Sequence, residues 1–416
     1  MNRLLQVIVM GAALLVLPAA RAAASAQENL QSLLDEIEKT QAQGQLNGDP
    51  EKPDISDYAF RLDVARRLRL ESSNAQATRV LVSILEADAP EELKRTALLE
   101  LALVAMQQDD LARAQQILSQ FVKRYPEDPG VPAVLLQQGL LYRQMGAQQM
   151  ALSKLYAVMT TALNLKSDHF EQYQRLVTQA QVEIAETQYA LGSYGEAADS
   201  FDRLLKQDVP ELDNAQLECK LVRSLAWLHR DADVVSRAQD FLSRFPHDGQ
   251  TAEVRFLLAH SLQRLQREPE AVHQVMALLA SQSADAEREP DRWTYWQKRA
   301  GNEVGNELYQ QGDYQDALEI YIRLADIDSS PDWQLPVLYQ AGLTAERSKQ
   351  PQKALDAYRR IVARANEVQA NTDPNLHTVL DMARWRKEYL AWLCQAEETR
   401  QTLNLSPGPD NSPTLR

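Results

Sequence analysis

The residues that could carry chemistry are few and poorly arranged for it. Six histidines are scattered along 416 residues, and only His260 and His273 are spaced to face each other within one pair of helices. Two imidazoles alone make a poor metal site. The sequence has no G-x-S-x-G, Walker, H-E-x-x-H or C-x-x-C motif. We therefore expect no metal, no cofactor and no enzymatic activity.

Charged residues limit the remaining classes of function. The formal charge of −14 argues against nucleic acid as the main ligand, because a phosphate backbone is bound by a basic face. The chain has 58 carboxylates, most of which we expect to be solvated on helix surfaces. Since a pair of carboxylates can hydrolyse a glycosidic bond, a periplasmic helical enzyme acting on a glycan or wall polymer remains the alternative.

The amino terminus is typical of an export signal. Arg3 precedes an apolar run from Leu4 to Ala20, and Ala24-Ser25-Ala26 fits an A-x-A cleavage site. We expect residues 1–26 to be a signal peptide, with an uncleaved anchor as the alternative. Cleavage would bring the charge to −16 and leave no run of the about 20 apolar residues that a spanning helix needs. The predicted location is the periplasm or the exterior.

Cys219 and Cys394 are the two cysteines, 175 residues apart. An exported protein could pair them, because its compartment is oxidising. The distance along an elongated chain favours two separate, mostly buried thiols.

Small residues recur at fixed intervals in helix-prone sequence. Eight positions, seven alanines and one valine, follow each other at spacings of 37, 37, 46, 37, 37, 46 and 37: Ala77, Ala114, Ala151, Ala197, Val234, Ala271, Ala317 and Ala354. Twelve residues before each lies another small or apolar residue, such as Gly139, Gly305 or Gly342. A larger apolar residue follows four positions later on the same helix face. This pattern predicts antiparallel helical hairpins whose helices touch at the small residues.

The stretch from Gly305 to Tyr321 resembles the tetratricopeptide repeat family. Gly305, Gly312, Tyr314, Ala317 and Tyr321 carry the resemblance. The helix ends "FVKRYPEDP" and "FLSRFPHD" match as well, and their "RYP" and "RFP" are similar to those of bacterial envelope members. The resemblance implies an all-α, right-handed superhelical solenoid of about eight hairpins over residues 56–372. It also implies a non-catalytic scaffold that binds proteins in a cell-envelope complex for outer-membrane or cell-wall assembly.

In this family the first helix of each hairpin lines the inner face. The resemblance therefore implies a partner-binding face made of Arg66, Arg69, Arg143, Tyr189, Arg223, Trp227, Phe256, His260, Arg264, Asn302, Asn306, Tyr309, Tyr339 and Arg347. With Arg299, Glu186, Glu253 and Glu346 the face has seven arginines, three acids and a charge of +4. Arginines and large aromatic anchors suit an extended acidic peptide. Ordinary solvated or packing residues are the alternative for each position.

"GNELYQQGDY" also resembles the chaperone-binding members, in which the equivalent of Asn306 clamps a terminal carboxylate. The next repeat has Leu343 where a second clamp asparagine would stand, and Asn302 occupies the place of a lysine. The clamp is incomplete.

The chain ends are predicted to differ from the repeats. Residues 27–55 read as an amphipathic helix and linker that either packs on the first repeat or docks elsewhere. A helix over 373–401, with Trp385, Tyr389 and Trp392, is expected to cap the array, and 402–416 read as a disordered tail. The oligomeric state and the partner's identity are not encoded in any motif.

Overall fold

The computed structural model describes residues 55–164, 170–207, 209–280, 290–370 and 373–405, and within these ranges every regular element is a helix. The predicted signal peptide and nearly all of the N-terminal helix and linker lie outside them, as do residues 406–416. The all-α expectation is confirmed. No described helix is both long enough and apolar enough to cross a membrane.

The helices fall into two compact units that meet within one helix, unit 1 ending at Thr187 and unit 2 starting at Gln188. The first seven are α1 (Ile55–Leu70), α2 (Asn74–Glu86), α3 (Glu91–Gln107), α4 (Leu111–Arg124), α5 (Val131–Gln144), α6 (Gln148–Asn164) and α7 (Phe170–Ala190). The others are α8 (Tyr194–Lys206), α9 (Asn214–Trp227), α10 (Asp231–Arg244), α11 (Thr251–Arg264), α12 (Glu268–Ala280), α13 (Pro290–Gln311), α14 (Tyr314–Leu324), α15 (Pro331–Arg347), α16 (Pro351–Ala363), α17 (Ala365–Ala370) and α18 (Pro374–Leu405).

Eight turns join α1 through α16 into eight hairpins, and each turn has one residue with positive φ. These residues are Ser72, Asp109, Gly146, Gly192, His229, Gln266, Gly312 and Lys349. Each lies five positions before a recurring small residue, so the turns repeat at the same 37- and 46-residue intervals. The next amide donates to the carbonyl five residues back, as from Ser73 to Leu68 (2.8 Å). This hydrogen bond closes a Schellman turn.

The recurring small residues lie at the helix contacts, as predicted. All eight, from Ala77 to Ala354, are fully buried on the second helix of a hairpin. The sequence predicted that each first-helix glycine faces the recurring small residue of the second helix, and the structure differs in this detail. A Cβ added to Gly139, Gly305 or Gly342 would meet the large residue four positions after the alanine, namely Leu155, Tyr321 or Tyr358. The glycines therefore make room for a large side chain.

The two 46-residue intervals contain the long first helices. Helices α7 and α13 have 21 and 22 residues, against 14 in α5, α9 and α11. The stretches before them, 165–169 and 281–289, lie outside the described residues. Much of the additional length of these two intervals, compared with the 37-residue intervals, therefore lies in helices α7 and α13.

The last helix closes unit 2. Helix α18 packs on α15 and α16 through Leu376, Leu380, Ala383 and Leu390, which are buried. Cys219 is buried and Cys394 half-buried, and both thiols are free. Burial raises the pKa of the Cys219 thiol to about 12, so it is protonated at neutral pH.

Candidate functional site

In unit 1 the predicted arginines form ion pairs with the next first helix. Arg66 and Arg69 of α1 donate to the two carboxylate oxygens of Glu100 on α3, over 2.8 and 3.0 Å. Arg143 of α5 pairs in the same way with Glu183 of α7. Both glutamates are buried. The positive charge of these arginines is thus partly or wholly balanced by acids that the sequence estimate did not count.

The same arrangement recurs in unit 2. Arg223 of α9 donates both Nε and an Nη to the buried carboxylate of Glu253 on α11, and Arg292 of α13 lies 3.7 Å from it. Burial alone would lower the pKa of Arg223, but the hydrogen bonds that it donates to Glu253, together with the attraction of that negative charge and of other neighbouring groups, outweigh burial and raise the pKa. Two guanidinium groups therefore lie at one carboxylate near Tyr189.

An exposed aromatic stack lies next to this cluster. The Trp227 ring, 62% exposed, lies parallel to Tyr194 with ring centroids 5.6 Å apart and planes 8° apart. Tyr189 packs edge-on against Tyr194 at 5.4 Å and against buried Phe201 at 6.5 Å. Burial raises the pKa of Tyr189, so its hydroxyl stays protonated and can donate. Trp227 therefore packs one face on Tyr194 and presents the other to solvent.

A second aromatic group covers Phe256, which is itself buried at 3% exposure. His260 stacks on it at 6.1 Å, and Trp296 of α13 packs on it at 5.2 Å. The Arg299 guanidinium lies over the Phe256 ring at 4.7 Å and donates to Glu303 and to the exposed Tyr295. Phe256 itself cannot reach a partner, and Trp296, Tyr295 and Arg299 form the surface there.

The remaining predicted residues are dispersed over α11, α13 and α15. Arg264 pairs with Asp231, and the Tyr321 hydroxyl donates to the Asn306 side-chain oxygen over 2.6 Å, which fixes the orientation of that amide group. Tyr309 packs edge-on against Tyr314 at 5.3 Å. Arg386 of α18 donates to the Tyr339 hydroxyl over 3.2 Å. Arg347 is exposed at the end of α15, and Asn302 is half-buried on α13.

The sequence analysis named these residues but did not identify the acidic side chains with which the arginines of unit 1 pair. Glu100 and Glu183 each lie two positions before a first-helix small residue, Ala102 and Ala185, and this shared register could have indicated them. Tyr194 recurs as Tyr314 after 120 residues, as Tyr189 recurs as Tyr309. Among the described residues, no cluster of His, Cys, Asp and Glu could hold a metal ion.

Comparison with known families agrees with this geometry. Models of the tetratricopeptide repeat match residues 96–128 and 304–368, which span α3–α4 and the region from α13 to α17. These two regions are tetratricopeptide repeats. The comparison with curated proteins found no match.

Solved structures of other repeat proteins are similar over long stretches at low identity. A tetratricopeptide repeat protein from Parabacteroides merdae is 12% identical, covering 70% of this chain and 98% of its own, with a TM-score of 0.38. The C-terminal part of one from Cytophaga hutchinsonii is 13% identical, covering 77% and 99%, with a TM-score of 0.39. YrrB, described as having an unusual peptide-binding site, is 17% identical, covering 52% and 95%, with a TM-score of 0.36.

Proposed function

We propose that this repeat protein is a non-catalytic scaffold that binds extended segments of partner proteins along α9, α11 and α13, three first helices of unit 2. The observation that carries the proposal is the exposed Trp227, stacked on Tyr194 beside the Arg223–Glu253–Arg292 cluster. Binding energy concentrates in rigid aromatic residues and arginines that lie close together. Tetratricopeptide repeats indicate a protein partner.

The bound segment is acidic in this proposal. The support is that guanidinium groups form charge-assisted hydrogen bonds with carboxylates, and Arg223 and Arg292 both lie at Glu253 near the exposed Trp227. In unit 1, Arg66 and Arg69 share Glu100 in the same way. The remaining predicted arginines either have their own carboxylate, as Arg264 has Asp231, or stand apart, as Arg347 does. Selectivity for acidic segments thus comes from two small sites.

The proposed location is the periplasm, with the protein helping to organise outer-membrane or cell-wall machinery. The support is the signal-like stretch of residues 1–26 and the "RYP" and "RFP" repeat endings. N-terminal sequencing of the protein from a periplasmic fraction should find a start at Gln27. An unprocessed Met1 in a cytoplasmic fraction would contradict this location.

The non-catalytic part of the proposal rests on how the buried carboxylates are used. Burial raises the pKa of Glu218, which is the direction expected of a general acid, but Arg244 donates to it. We interpret Glu218 as half of a structural ion pair. A glycan or wall-polymer hydrolase would lose its activity in Glu218→Gln or in another single carboxylate variant, whereas a scaffold has no such activity to lose.

Partner binding provides the direct test. The full-length protein is labelled in cells with a photo-crosslinking amino acid at Tyr295, and adducts are identified by mass spectrometry. Trp227→Ala and Arg292→Ala should each reduce the amount of the identified adduct. Once the partner is identified, raising the salt concentration should weaken its binding to the purified protein, because salt screens the attraction between charges. Trp392→Ala, which removes an equally exposed tryptophan on α18, is the control. Equal loss in the control would contradict the site.

A further inference from the structure

Helix α1 lacks the neighbour that covers later first helices. Those helices pack on the second helix of the hairpin before them, as α3 does on α2, α9 on α8 and α15 on α14. In the part of the chain that the structure describes, no helix precedes α1. The side of α1 that corresponds to this contact is therefore uncovered there.

Phe60 marks the uncovered side of α1. It lies seventeen residues before the recurring small residue Ala77 and is 45% exposed. In the other seven hairpins the residue at this position is apolar and buried: Ala97, Val134, Ala180, Leu217, Val254, Ala300 and Val337. This recurrence indicates that Phe60, too, has an element that covers it.

Leu70, on the same helix, is exposed for a different reason. It lies seven residues before Ala77 and is 69% exposed. The residue at this position is exposed in all eight hairpins, as Gln107 and Trp227 are. The exposure of Leu70 is therefore a property of the repeat, whereas that of Phe60 is particular to α1.

The chain before α1 has the apolar pattern of a second helix. In α2 and α4 the buried apolar residues follow each other at steps of three, one and three: Ala77, Val80, Leu81 and Ile84, and Ala114, Ile117, Leu118 and Phe121. The same steps relate Leu30, Leu33, Leu34 and Ile37. Leu30 lies 47 residues before Ala77, within one residue of the 46-residue interval that recurs in the array.

The other properties of this segment suit the end of an array. The terminal repeat of a solenoid needs a polar outer face, and the positions between the apolar ones are polar: Gln31, Ser32, Asp35 and Glu36. Leu30 stands where the other second helices have alanine or valine, which fits a helix without a first helix to contact. The 17 residues between Ile37 and Ile55 reach up to about 55 Å when extended, against about 24 Å for the 16 residues of α1. The segment can therefore fold back along α1.

We propose that residues 28–40 form a second helix without a first helix, which packs on α1 and caps the N-terminal end of unit 1. Its four apolar residues face α1 and cover Phe60, and its charged residues face solvent. The occupant of this side of α1 is thus the chain itself. Partners are excluded from it, whereas the proposed binding face on unit 2 stays open.

Hydrogen exchange of the full-length protein, read by mass spectrometry, tests the cap and requires no partner. Amides of residues 33–40 should be protected in the wild type. Leu34→Glu should speed their exchange at least about tenfold, because a charge at a buried apolar contact costs more than 1.4 kcal/mol. Phe60→Glu should do the same from the other helix. Leu70→Glu is the matched control and should leave the exchange unchanged. Circular dichroism establishes that each variant is folded.

Three outcomes would overturn the proposal. The first is exchange of residues 33–40 that is as fast in the wild type as in Leu34→Glu. The second is protection that Phe60→Glu leaves intact, which would place the segment elsewhere. The third is protection that appears only as the protein concentration rises from roughly 1 to 100 µM, which would assign the contact to a second copy.

Discussion

Gly342→Ala tests how closely the hairpin helices are packed. A Cβ at Gly342 would lie 2.6 Å from Cζ and 3.0 Å from Cδ1 of Tyr358. Tyr358 is fully buried, and its hydroxyl donates to Glu346 over 2.5 Å. Glu346 in turn accepts hydrogen bonds from Arg386. The ring therefore cannot move aside without breaking this network.

The magnitude follows from two opposing effects. Alanine is favoured over glycine inside a helix by about 1 kcal/mol. Overpacking a rigid contact costs about 1–3 kcal/mol, and here the upper half applies because the tyrosine is held at both ends. We expect Gly342→Ala to lower the free energy of unfolding by about 1–2 kcal/mol.

Two other glycines supply matched controls. At Gly305 the added Cβ would lie 3.1 Å from Tyr321, so the two effects should nearly cancel. At Gly195 on α8 it would meet nothing within 4 Å, so alanine should stabilise the protein by up to about 1 kcal/mol. Urea unfolding followed by circular dichroism and by fluorescence measures all three. Equal shifts in the three variants, or a stabilising Gly342→Ala, would refute the packing argument.

Three further predictions concern turns, ion pairs and pH. His229→Gly and Gln266→Gly should each raise the free energy of unfolding by about 0.5–1 kcal/mol, because both residues have positive φ, which glycine adopts without strain. Gly192→Ala should lower it by about 1 kcal/mol for the same reason. Urea midpoints that do not separate in this way would be inconsistent with the turn geometry. Glu253→Gln should lower the free energy of unfolding by about 2 kcal/mol, because it leaves the half-buried Arg223 without its carboxylate. Glu303→Gln removes an exposed pair and should change the free energy of unfolding by under about 0.5 kcal/mol. Equal effects of the two substitutions would count against a buried network. A hydrogen bond from Lys298 lowers the pKa of Asp328 from 3.8 to about 2. Its stabilising effect, under about 1 kcal/mol near the surface, is therefore present above pH ~4 and lost as the pH falls through about 2, so the difference from Asp328→Asn should vanish there.

The hairpins were predictable because their signal is local and repeated. Ala114 or Ala317 has matching neighbours at a fixed interval, and a small buried residue at a helix contact leaves few alternatives. The turn positions follow from the same register even where the residue is His229 rather than glycine. Local helix and turn preferences thus agree with the packing of the hairpins, as is expected of a natural sequence.

The site was less predictable, because contacts between hairpins depend on the rotation of each helix. Arg223 was placed on the correct helix, but only the structure brings Glu253 and Arg292 to it. Phe256 was expected to be an anchor, yet Trp296 and Arg299 cover it. For Trp385 the sequence predicted a capping helix and gave no indication that the ring faces solvent.

The central claim is that a partner segment lies along the first helices of unit 2. Photo-crosslinking in cells from single sites on these helices, at Lys220 and Tyr295, compared with exposed sites on the second helices, at Asp240 and Glu319, tests it most directly. We predict one shared protein adduct from the first two sites, lost in Arg292→Ala, and none from the other two. Adducts only from Asp240 and Glu319 would contradict the claim.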